Sequence, residues 1–362
     1  MPSSIRPVPR AVRLVIAAGA VSAVALAAAG CSGGGASADD DAVQVVATTT
    51  QVGDFTRELV GEQAEVTQLL QPGASAHSFD PSAAQLRALA DADALVVNGA
   101  GLEEWLDDAV AASGFDGVLV DASEGVELHG THEHDHDDAA HDDADADAAH
   151  DHETDASAEA SGDDHDGHDH ATGNPHIWTG PALAEQMVGT IAHGLADVPG
   201  LDPAGVEANE EAYLERVRAL EAWIDENVDA VPVADRLLVT NHDAFTYFVD
   251  AYDVTFVGSV IPSFDDNAEP SAAEIDDLVE KIRETGVQAV FSEASISPKA
   301  AETIAREAGV TVYSGDDALY GDSLGVAGSE GATYLGSQVH NVRLILESWG
   351  VEPSPVPAAL ED

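Results

Sequence analysis

The stretch "DPAGVEANEEAYLERVRALEAWIDENV", residues 202–228, predicts one long helix near the middle of the chain. Asp202 is a good N-cap, and Pro203 suits the first helical position. Apolar residues recur at steps of three to four, with one interval of seven, at Val206, Tyr213, Val217, Leu220, Ile224 and Val228. At 1.5 Å per residue the helix would extend roughly 40 Å. Such a helix could connect two lobes, although an ordinary core helix would show the same pattern.

Short apolar runs alternate with helical patterns on both sides of this helix, which predicts βα units and parallel sheets. The predicted strands are 43–50, 66–73, 94–101 and 117–123 before the helix, and 236–243, 254–260, 287–294 and 310–315 after it. The predicted helices are 82–92, 271–285, 298–308 and 330–348. We therefore expect an α/β protein with two lobes, each a mainly parallel sheet flanked by helices, joined by one long rigid helix. The expected limits are 43–201, 202–228 and 229–350, followed by a tail at 351–362.

The first residues have the features of an export signal. Arg6, Arg10 and Arg13 precede an apolar run, 14–30, that is short for a membrane span, and "AAGC" ends at Cys31. Small residues before a cysteine resemble the bacterial lipobox, which predicts a signal peptide at 1–31, lipidation of Cys31 and a flexible tether at 32–42. The alternative is an ordinary free thiol. The expected location is the outer face of the cytoplasmic membrane, with the protein held there by its lipid.

The composition favours cations as partners. The 362 residues include 68 Asp and Glu against 13 Lys and Arg, a formal charge of −55, and 44% are hydrophobic. A chain with this charge repels the phosphates of nucleic acids and of anionic lipids, so nucleic acid is excluded as a partner. The acidic excess can also serve simply as a solvated surface.

An acidic insert, 129–171, interrupts the first predicted lobe. Its low complexity and lack of aromatic residues predict no fixed structure. It carries ten histidines, His129, His132, His134, His136, His141, His150, His152, His165, His168 and His170. We expect weak binding of several metal ions there, because each site must first order its own ligands. In the alternative interpretation the histidines are incidental to a solvated loop.

Three other histidines occupy loops of the predicted α/β units. His77 follows a strand, His176 lies in "GNPHIWTGP", and His242 ends the strand in "LLVTNHDAF". Ligands in open α/β sheets bind at the carboxyl ends of strands, and three neutral imidazoles suit Zn²⁺. The favoured fourth donor is Asp322 in "ALYGDSLG", with Asp316, Asp317 and Glu293 as rivals. His193 and His340 fall in predicted helices and are interpreted as structural.

Five motifs in order, "HSFDPS", "NPHIW", "NHDAFTYF", "FSEASISPK" and "GDSLG", resemble the metal-binding solute-binding proteins of ABC transporters, the zinc and manganese receptors. The resemblance covers about 43–350. It implies an ion held between two lobes by His77, His176, His242 and Asp322. A histidine at the third position and an acidic His-rich insert are typical of the zinc branch. One departure is Ser78, Phe79, Asp80 and Pro81 where the family commonly has Tyr-Glu-Pro after the histidine.

The expected function is therefore capture of Zn²⁺ and its delivery to an ABC-type membrane permease, by a monomer without enzymatic activity. Four alternatives stay open: a manganese receptor, an iron receptor, a zinc-dependent hydrolase, and a surface adhesin or zinc buffer on the same fold. The hydrolase is disfavoured because none of the three loop histidines belongs to an HExxH motif and no obvious general base is fixed beside them.

Overall fold

The computed structural model describes residues 42–129, 173–263, 265–266 and 268–360, which belong to one structural unit. The predicted signal peptide with Cys31, the tether up to residue 41, and nearly all of the His-rich insert lie outside the described residues. His129, the first residue of the insert, is described.

The N-terminal half contains a four-stranded parallel sheet. Its elements are β1 (Val43–Ala47), α1 (Thr50–Val60), β2 (Ala64–Gln68), α2 (Ala83–Ala90), β3 (Ala94–Val97), α3 (Leu106–Ser113), β4 (Val118–Asp121) and α4 (Pro181–Leu195). The strand order is β2-β1-β3-β4, with every neighbouring pair parallel. All of β3 and nearly all of β1 are buried, as expected for parallel strands covered on both faces.

The C-terminal half contains two parallel strand pairs. Its elements are α5 (Pro203–Asp229), β5 (Leu237–Thr240), α6 (Thr246–Ala251), β6 (Thr255–Ser259), α7 (Ala272–Thr285), β7 (Ala289–Phe291), α8 (Lys299–Ala308), β8 (Thr311–Tyr313) and α9 (Tyr334–Ser348). Strand β5 pairs with β6 and β7 pairs with β8, while β5 lies beside β7. These parallel sheets flanked by helices confirm the predicted fold class.

Helix α5 confirms the long helix predicted from residues 202–228. Asp202 caps it by accepting a hydrogen bond from the Ala204 amide at 3.3 Å. The predicted apolar face is buried, and α5 packs against α1 and α4 of the first half and against α9 of the second. One apolar cluster consequently contains residues from both halves, for example Val45 and Tyr334, and a smaller cluster fills the C-terminal half alone.

Most predicted strands end earlier than expected, because the residues after them turn out of the sheet. The strand predicted at 236–243 ends at Thr240, whose hydroxyl donates to the His242 carbonyl at 2.6 Å. The strand predicted at 94–101 ends at Val97, and Gly99, Ala100 and Gly101 follow with positive φ. These turns free polar side chains at the edge of the sheet. Within the described residues, no helix combines the length and apolar character needed to span a membrane.

Candidate metal centre

Four side chains from distant parts of the chain meet between the two halves. His77 lies in the loop between β2 and α2, His176 just before α4, His242 after β5, and Asp322 after β8. One potential ligand atom from each lies within 4.8 Å of the corresponding atom of the other three. The structure thus brings together all four residues that were favoured from the sequence.

The spacing of these atoms is close to that of a tetrahedral zinc site. The Nε2 atom of His176 is 3.3 Å from Nε2 of His77 and 3.3 Å from Nε2 of His242. Oδ1 of Asp322 is 2.9 Å from His176 Nε2 and 3.1 Å from His242 Nε2, and Oδ2 is 3.8 Å from His77 Nε2. Zinc bonds of 2.0–2.1 Å would place tetrahedral ligand atoms about 3.3 Å apart. The donors are therefore already arranged for such an ion.

The carboxylate of Asp322 is the strongest sign that the centre is built for a cation. Its side chain is buried, and within the described chain neither oxygen has a well-aligned hydrogen-bond donor, although imidazole nitrogens lie close to Oδ1. A buried carboxylate without such donors is costly. A divalent cation among the three imidazoles would supply the missing partner.

Asn174 orients His176 from two residues away. Its Oδ1 accepts from the His176 backbone amide at 3.0 Å and lies 2.6 Å from His176 Nδ1. The Asn174 amide nitrogen donates to the Asp243 carbonyl at 2.6 Å and to the Thr246 hydroxyl at 2.9 Å, which fixes the orientation of the amide group. Nδ1 of His176 is therefore the protonated nitrogen, and Nε2 is left with its lone pair toward the centre.

Glu293 orients His242 as Asn174 orients His176. It is not itself one of the four converging groups. Its Oε1 lies 2.7 Å from His242 Nδ1 and accepts from the His242 amide at 3.1 Å. A Cβ at Gly321 would lie 1.9 Å from Glu293 Oε2, so a larger residue there would push this carboxylate out of its present position. The rival ligand Glu293 is thus better described as a carboxylate that orients a histidine.

The loop that carries Asp322 is fastened to the N-terminal half. The Gly321 carbonyl accepts hydrogen bonds from Gln51 Nε2 and Trp178 Nε1, each at 3.1 Å. The Leu324 amide donates to the Thr50 hydroxyl at 2.8 Å. These bonds place the C-terminal carboxylate over ligands of the N-terminal half.

Burial and nearby charges shift the pKa values of the three buried ligands in different directions. Burial lowers the pKa of His176 to about 4, against the opposing effect of Asp322, so His176 is neutral at pH 7. Burial also acts to lower the pKa of His242, but the carboxylates of Asp322 and Glu293 raise it well above its usual range. Burial acts to raise the pKa of Asp322, yet His242 and His176 hold it well below its usual range. A cation bound at His242 Nε2 would displace a proton from this imidazole.

The remaining predicted residues lie away from this centre. Asp316 and Asp317 are exposed on a turn after β8, so these two rivals to Asp322 do not join the cluster. His193 is exposed on α4, and His340 is buried on α9 with Nε2 3.0 Å from the Ala318 carbonyl. The expected structural role of His340 is consistent with that contact.

The His-rich insert begins and returns beside the centre. The Asn174 backbone amide donates to the His129 backbone carbonyl at 2.7 Å, so the first residue of the insert is bonded to a residue just beyond its end. His129 Nδ1 lies 2.8 Å from Asp250 Oδ2 at an exposed position. The other nine insert histidines, like Cys31, lie outside the described residues.

Comparison with known proteins agrees with this architecture. The family model described as zinc-uptake complex component A, periplasmic (ZnuA), matches residues 45–348. The chain belongs to this family. Its members are metal-binding transport proteins and not enzymes, which removes the zinc hydrolase from the alternatives.

Named relatives divide between two metals. A manganese-binding lipoprotein, MntA, from Halalkalibacterium halodurans is 28% identical over 89% of this chain and 94% of its own length. The MntA protein of Bacillus subtilis is 26% identical over 84% and 89%. A zinc-binding protein, AdcA, from Streptococcus pyogenes serotype M3 is 28% identical over 86% of this chain, which spans only 58% of that longer protein.

Solved structures show the same fold. The periplasmic zinc-binding protein TroA from Treponema pallidum superposes with a TM-score of 0.68 at 22% identity, covering 84% of this chain and 98% of TroA. A manganese-bound periplasmic metal-binding protein from Candidatus Liberibacter asiaticus gives 0.66 at 19% identity, covering 84% and 99%. At these identities the likeness establishes the fold alone.

Two polar neighbours of the centre were not predicted from the sequence. Asn174 precedes Pro175 in the quoted "NPHIW" motif, where an Asn two residues before a histidine is the only available signal. Asp266 lies in the segment between β6 and α7. Burial raises its pKa, and the negative charge of Asp322 raises it further, so the two carboxylates interact electrostatically.

Proposed function

We propose that this protein captures Zn²⁺ outside the cytoplasmic membrane and delivers it to an ABC-type permease. His77, His176, His242 and Asp322 are the proposed ligands. The observation that carries the proposal is the 3.3 Å spacing of the imidazole Nε2 atoms around a buried Asp322 carboxylate. Three nitrogen donors and one oxygen donor in a closed tetrahedral arrangement suit zinc.

The ion would also act as a clip between the two halves, since His77 and His176 come from the first and His242 and Asp322 from the second. Such an ion stabilises the form in which the halves are together, and a permease can discriminate that form from the metal-free one. The expected consequence is a difference in protease sensitivity between metal-free and zinc-loaded protein. Equal digestion rates would contradict this coupling.

Calorimetric titration of the full chain with Zn²⁺ and Mn²⁺ tests the proposal directly. We expect one tight site for zinc that disappears in a variant carrying His77→Ala, His176→Ala and His242→Ala together. His193→Ala is the matched control, because this exposed histidine lies on α4 away from the centre. Retention of the tight site in the triple variant would refute the ligand set.

Manganese is the second candidate, because two of the relatives are named manganese-binding lipoproteins. Mn²⁺ is a harder ion that prefers more oxygen donors and higher coordination numbers. The centre offers one carboxylate against three imidazoles. Tighter binding of Mn²⁺ than of Zn²⁺ in the titration would favour this candidate.

The His-rich insert is proposed to gather zinc near the tight site. Its first residue, His129, is hydrogen-bonded to Asn174, and Asn174 in turn orients the proposed ligand His176. Deletion of 130–172 should remove weak extra sites and leave the tight site intact, and a matched variant with every insert histidine changed to Ser separates histidine from charge. Loss of the tight site on deletion would refute this division of labour.

A lipid on Cys31 is proposed to hold the protein at the membrane. The apolar run before Cys31 and the small residues that lead to it support this proposal. Cys31→Ser should release the protein into the soluble fraction, with zinc binding unchanged. Continued membrane association of that variant would contradict the anchor.

A further inference from the structure

His77 differs from the other three proposed ligands in its exposure to solvent. Its side chain is 8% exposed, whereas the side chains of His176, His242 and Asp322 are 0% exposed. The site is also most open on this side, since His77 Nε2 lies 3.8 Å from the Asp322 carboxylate, against 2.9 Å and 3.1 Å for the Nε2 atoms of His176 and His242. We call this side of the site the His77 corner. A cation leaving the centre would therefore meet solvent first on the His77 side.

A relay of two hydrogen bonds connects His77 to the opposite half of the protein. The His77 amide donates to the Ser75 hydroxyl oxygen at 3.2 Å, and that hydroxyl donates to Oδ1 of Asp266 at 2.8 Å. Ser75 and His77 follow β2 in the N-terminal half, while Asp266 lies between β6 and α7 in the C-terminal half. The relay thus spans the two halves at the corner where the site meets solvent.

The same loop is also held by its own half. Trp105 Nε1 donates to the Ala76 carbonyl at 3.0 Å. The Gly73 amide donates to the Ser323 hydroxyl at 2.7 Å, a second contact with the C-terminal half but farther along the chain from His77. Of these bonds, only the Ser75–Asp266 contact combines an ionisable carboxylate with a position two residues from the ligand. A hydroxyl bonded to a carboxylate is a charge-assisted hydrogen bond, stronger than a neutral one.

We propose that Asp266 is a positioning residue, which through Ser75 holds His77 against the bound cation and so sets how long the cation stays in the site. This inference rests on the proposed zinc-binding function. Separation of the two halves at the His77 corner requires the Ser75–Asp266 bond to break. The bond therefore contributes to the barrier to release, whereas the buried ligands contribute most of the affinity.

The test measures zinc release from the loaded full chain, mixed rapidly with an excess of a fluorescent zinc chelator. Ser75→Ala removes the hydrogen bond to the charged group and should accelerate release by about tenfold. Asp266→Asn keeps an acceptor oxygen but removes the charge that strengthens the bond, so it should accelerate release by less. Ser75→Thr keeps the hydroxyl and should restore the slow rate. Glu269→Gln is the matched control, because it removes the same charge from the same segment at an exposed position.

The combined Ser75→Ala and Asp266→Asn variant separates a hydrogen bond from a general effect of charge. If the two residues act through one bond, the double variant should release zinc no faster than Ser75→Ala alone. Additive effects, an effect of Asp266→Asn without one of Ser75→Ala, or equal acceleration by Glu269→Gln would each overturn the proposal.

A measurement on metal-free protein keeps this inference distinct from the proposed function. Amide hydrogen exchange in the loop 71–80 should be faster in Ser75→Ala and Asp266→Asn than in the wild type and in Glu269→Gln. Unchanged exchange would overturn the positioning role even where zinc binds. Absence of tight zinc binding by the wild type would instead refute the proposed function, and the exchange result would still report on the relay.

Discussion

The two buried histidine ligands and His77 are held in position in different ways. His176 and His242 are completely buried, and their Nδ1 atoms face Asn174 and Glu293 at 2.6 and 2.7 Å. His77 is partly exposed, and the bonds that position it involve the backbone of its loop. The comparison indicates that the buried side determines how tightly a cation is held and the His77 side how fast it exchanges.

The largest expected effect is the loss of a buried ligand. Structural zinc sites gain roughly 10–16 kcal/mol from about four ligands, so His176→Ala should weaken zinc binding by about 3 kcal/mol, or at least a hundredfold. His77→Ala should cost less, because water can enter at the exposed corner and take the vacant coordination position. Competition with a chelator of known affinity measures both variants. Equal losses for the two would break the proposed distinction.

The fold and the ligands could be predicted from the sequence because they depend on signals that are local. The apolar face of α5 is readable at helical spacing, and His77, His176 and His242 occur in loops after or before regular elements. Asp322 could be favoured over Asp316 and Asp317 only through its motif, since nearby acidic residues are locally alike. The structure separates them by placing Asp316 and Asp317 on an exposed turn.

The support around the ligands could not be predicted, because it depends on contacts between distant segments. Glu293 is 51 positions from His242, and the Ser75–Asp266 bond joins residues 191 positions apart. Spacing along one segment carries no information about such pairs. The end of β5 at Thr240 was likewise missed, because a side-chain bond to the His242 carbonyl, and not a turn residue such as glycine, bends the chain there.

The next largest effect is expected on the stability of the fold, and it comes from the buried carboxylate of Glu103. Glu103 accepts hydrogen bonds from the Thr48 hydroxyl and the Asn98 and Gly99 amides, and Asn98 in turn donates to the Pro175 carbonyl beside His176. Burial raises the pKa of Glu103 from 4.5 to about 7. The folded protein therefore retains a proton between these values that the unfolded chain loses.

The stability contributed by this raised pKa is present at low pH and is lost as pH rises from about 4.5 through 7, by a total of about 3 kcal/mol. Glu103→Gln should remove that loss. In urea unfolding of metal-free protein, the stability of the wild type relative to this variant should fall as pH rises from 4.5 to 8. Glu104→Gln, an exposed neighbour, should track the wild type. A pH-independent difference would show that Glu103 keeps its ordinary ionisation.

The next prediction concerns Glu293, the carboxylate that orients the buried ligand His242. Partners that orient metal-bound histidines typically contribute 10- to 100-fold to affinity. Glu293→Gln retains an oxygen that can accept from His242 Nδ1 but removes the charge, so zinc affinity should fall by about tenfold. Asp316→Asn removes a charge from an exposed turn and should leave affinity unchanged. An unchanged affinity in Glu293→Gln would mean that hydrogen bonding alone is sufficient to position His242.

The smallest effect is expected at the contact that holds the His77 loop to its own half. Trp105→Phe removes the 3.0 Å hydrogen bond to the Ala76 carbonyl and keeps a ring that can pack against Phe79, whose ring centroid is now 4.8 Å away. A neutral hydrogen bond of this kind contributes about 1 kcal/mol, so zinc release should accelerate by about fivefold or less. The equilibrium affinity should change by no more than that factor, because the buried ligands are untouched. Chelator-driven release and chelator competition on the same samples measure the two quantities. A loss of affinity as large as that of His176→Ala would show that the His77 loop, and not the buried side, determines how tightly the cation is held.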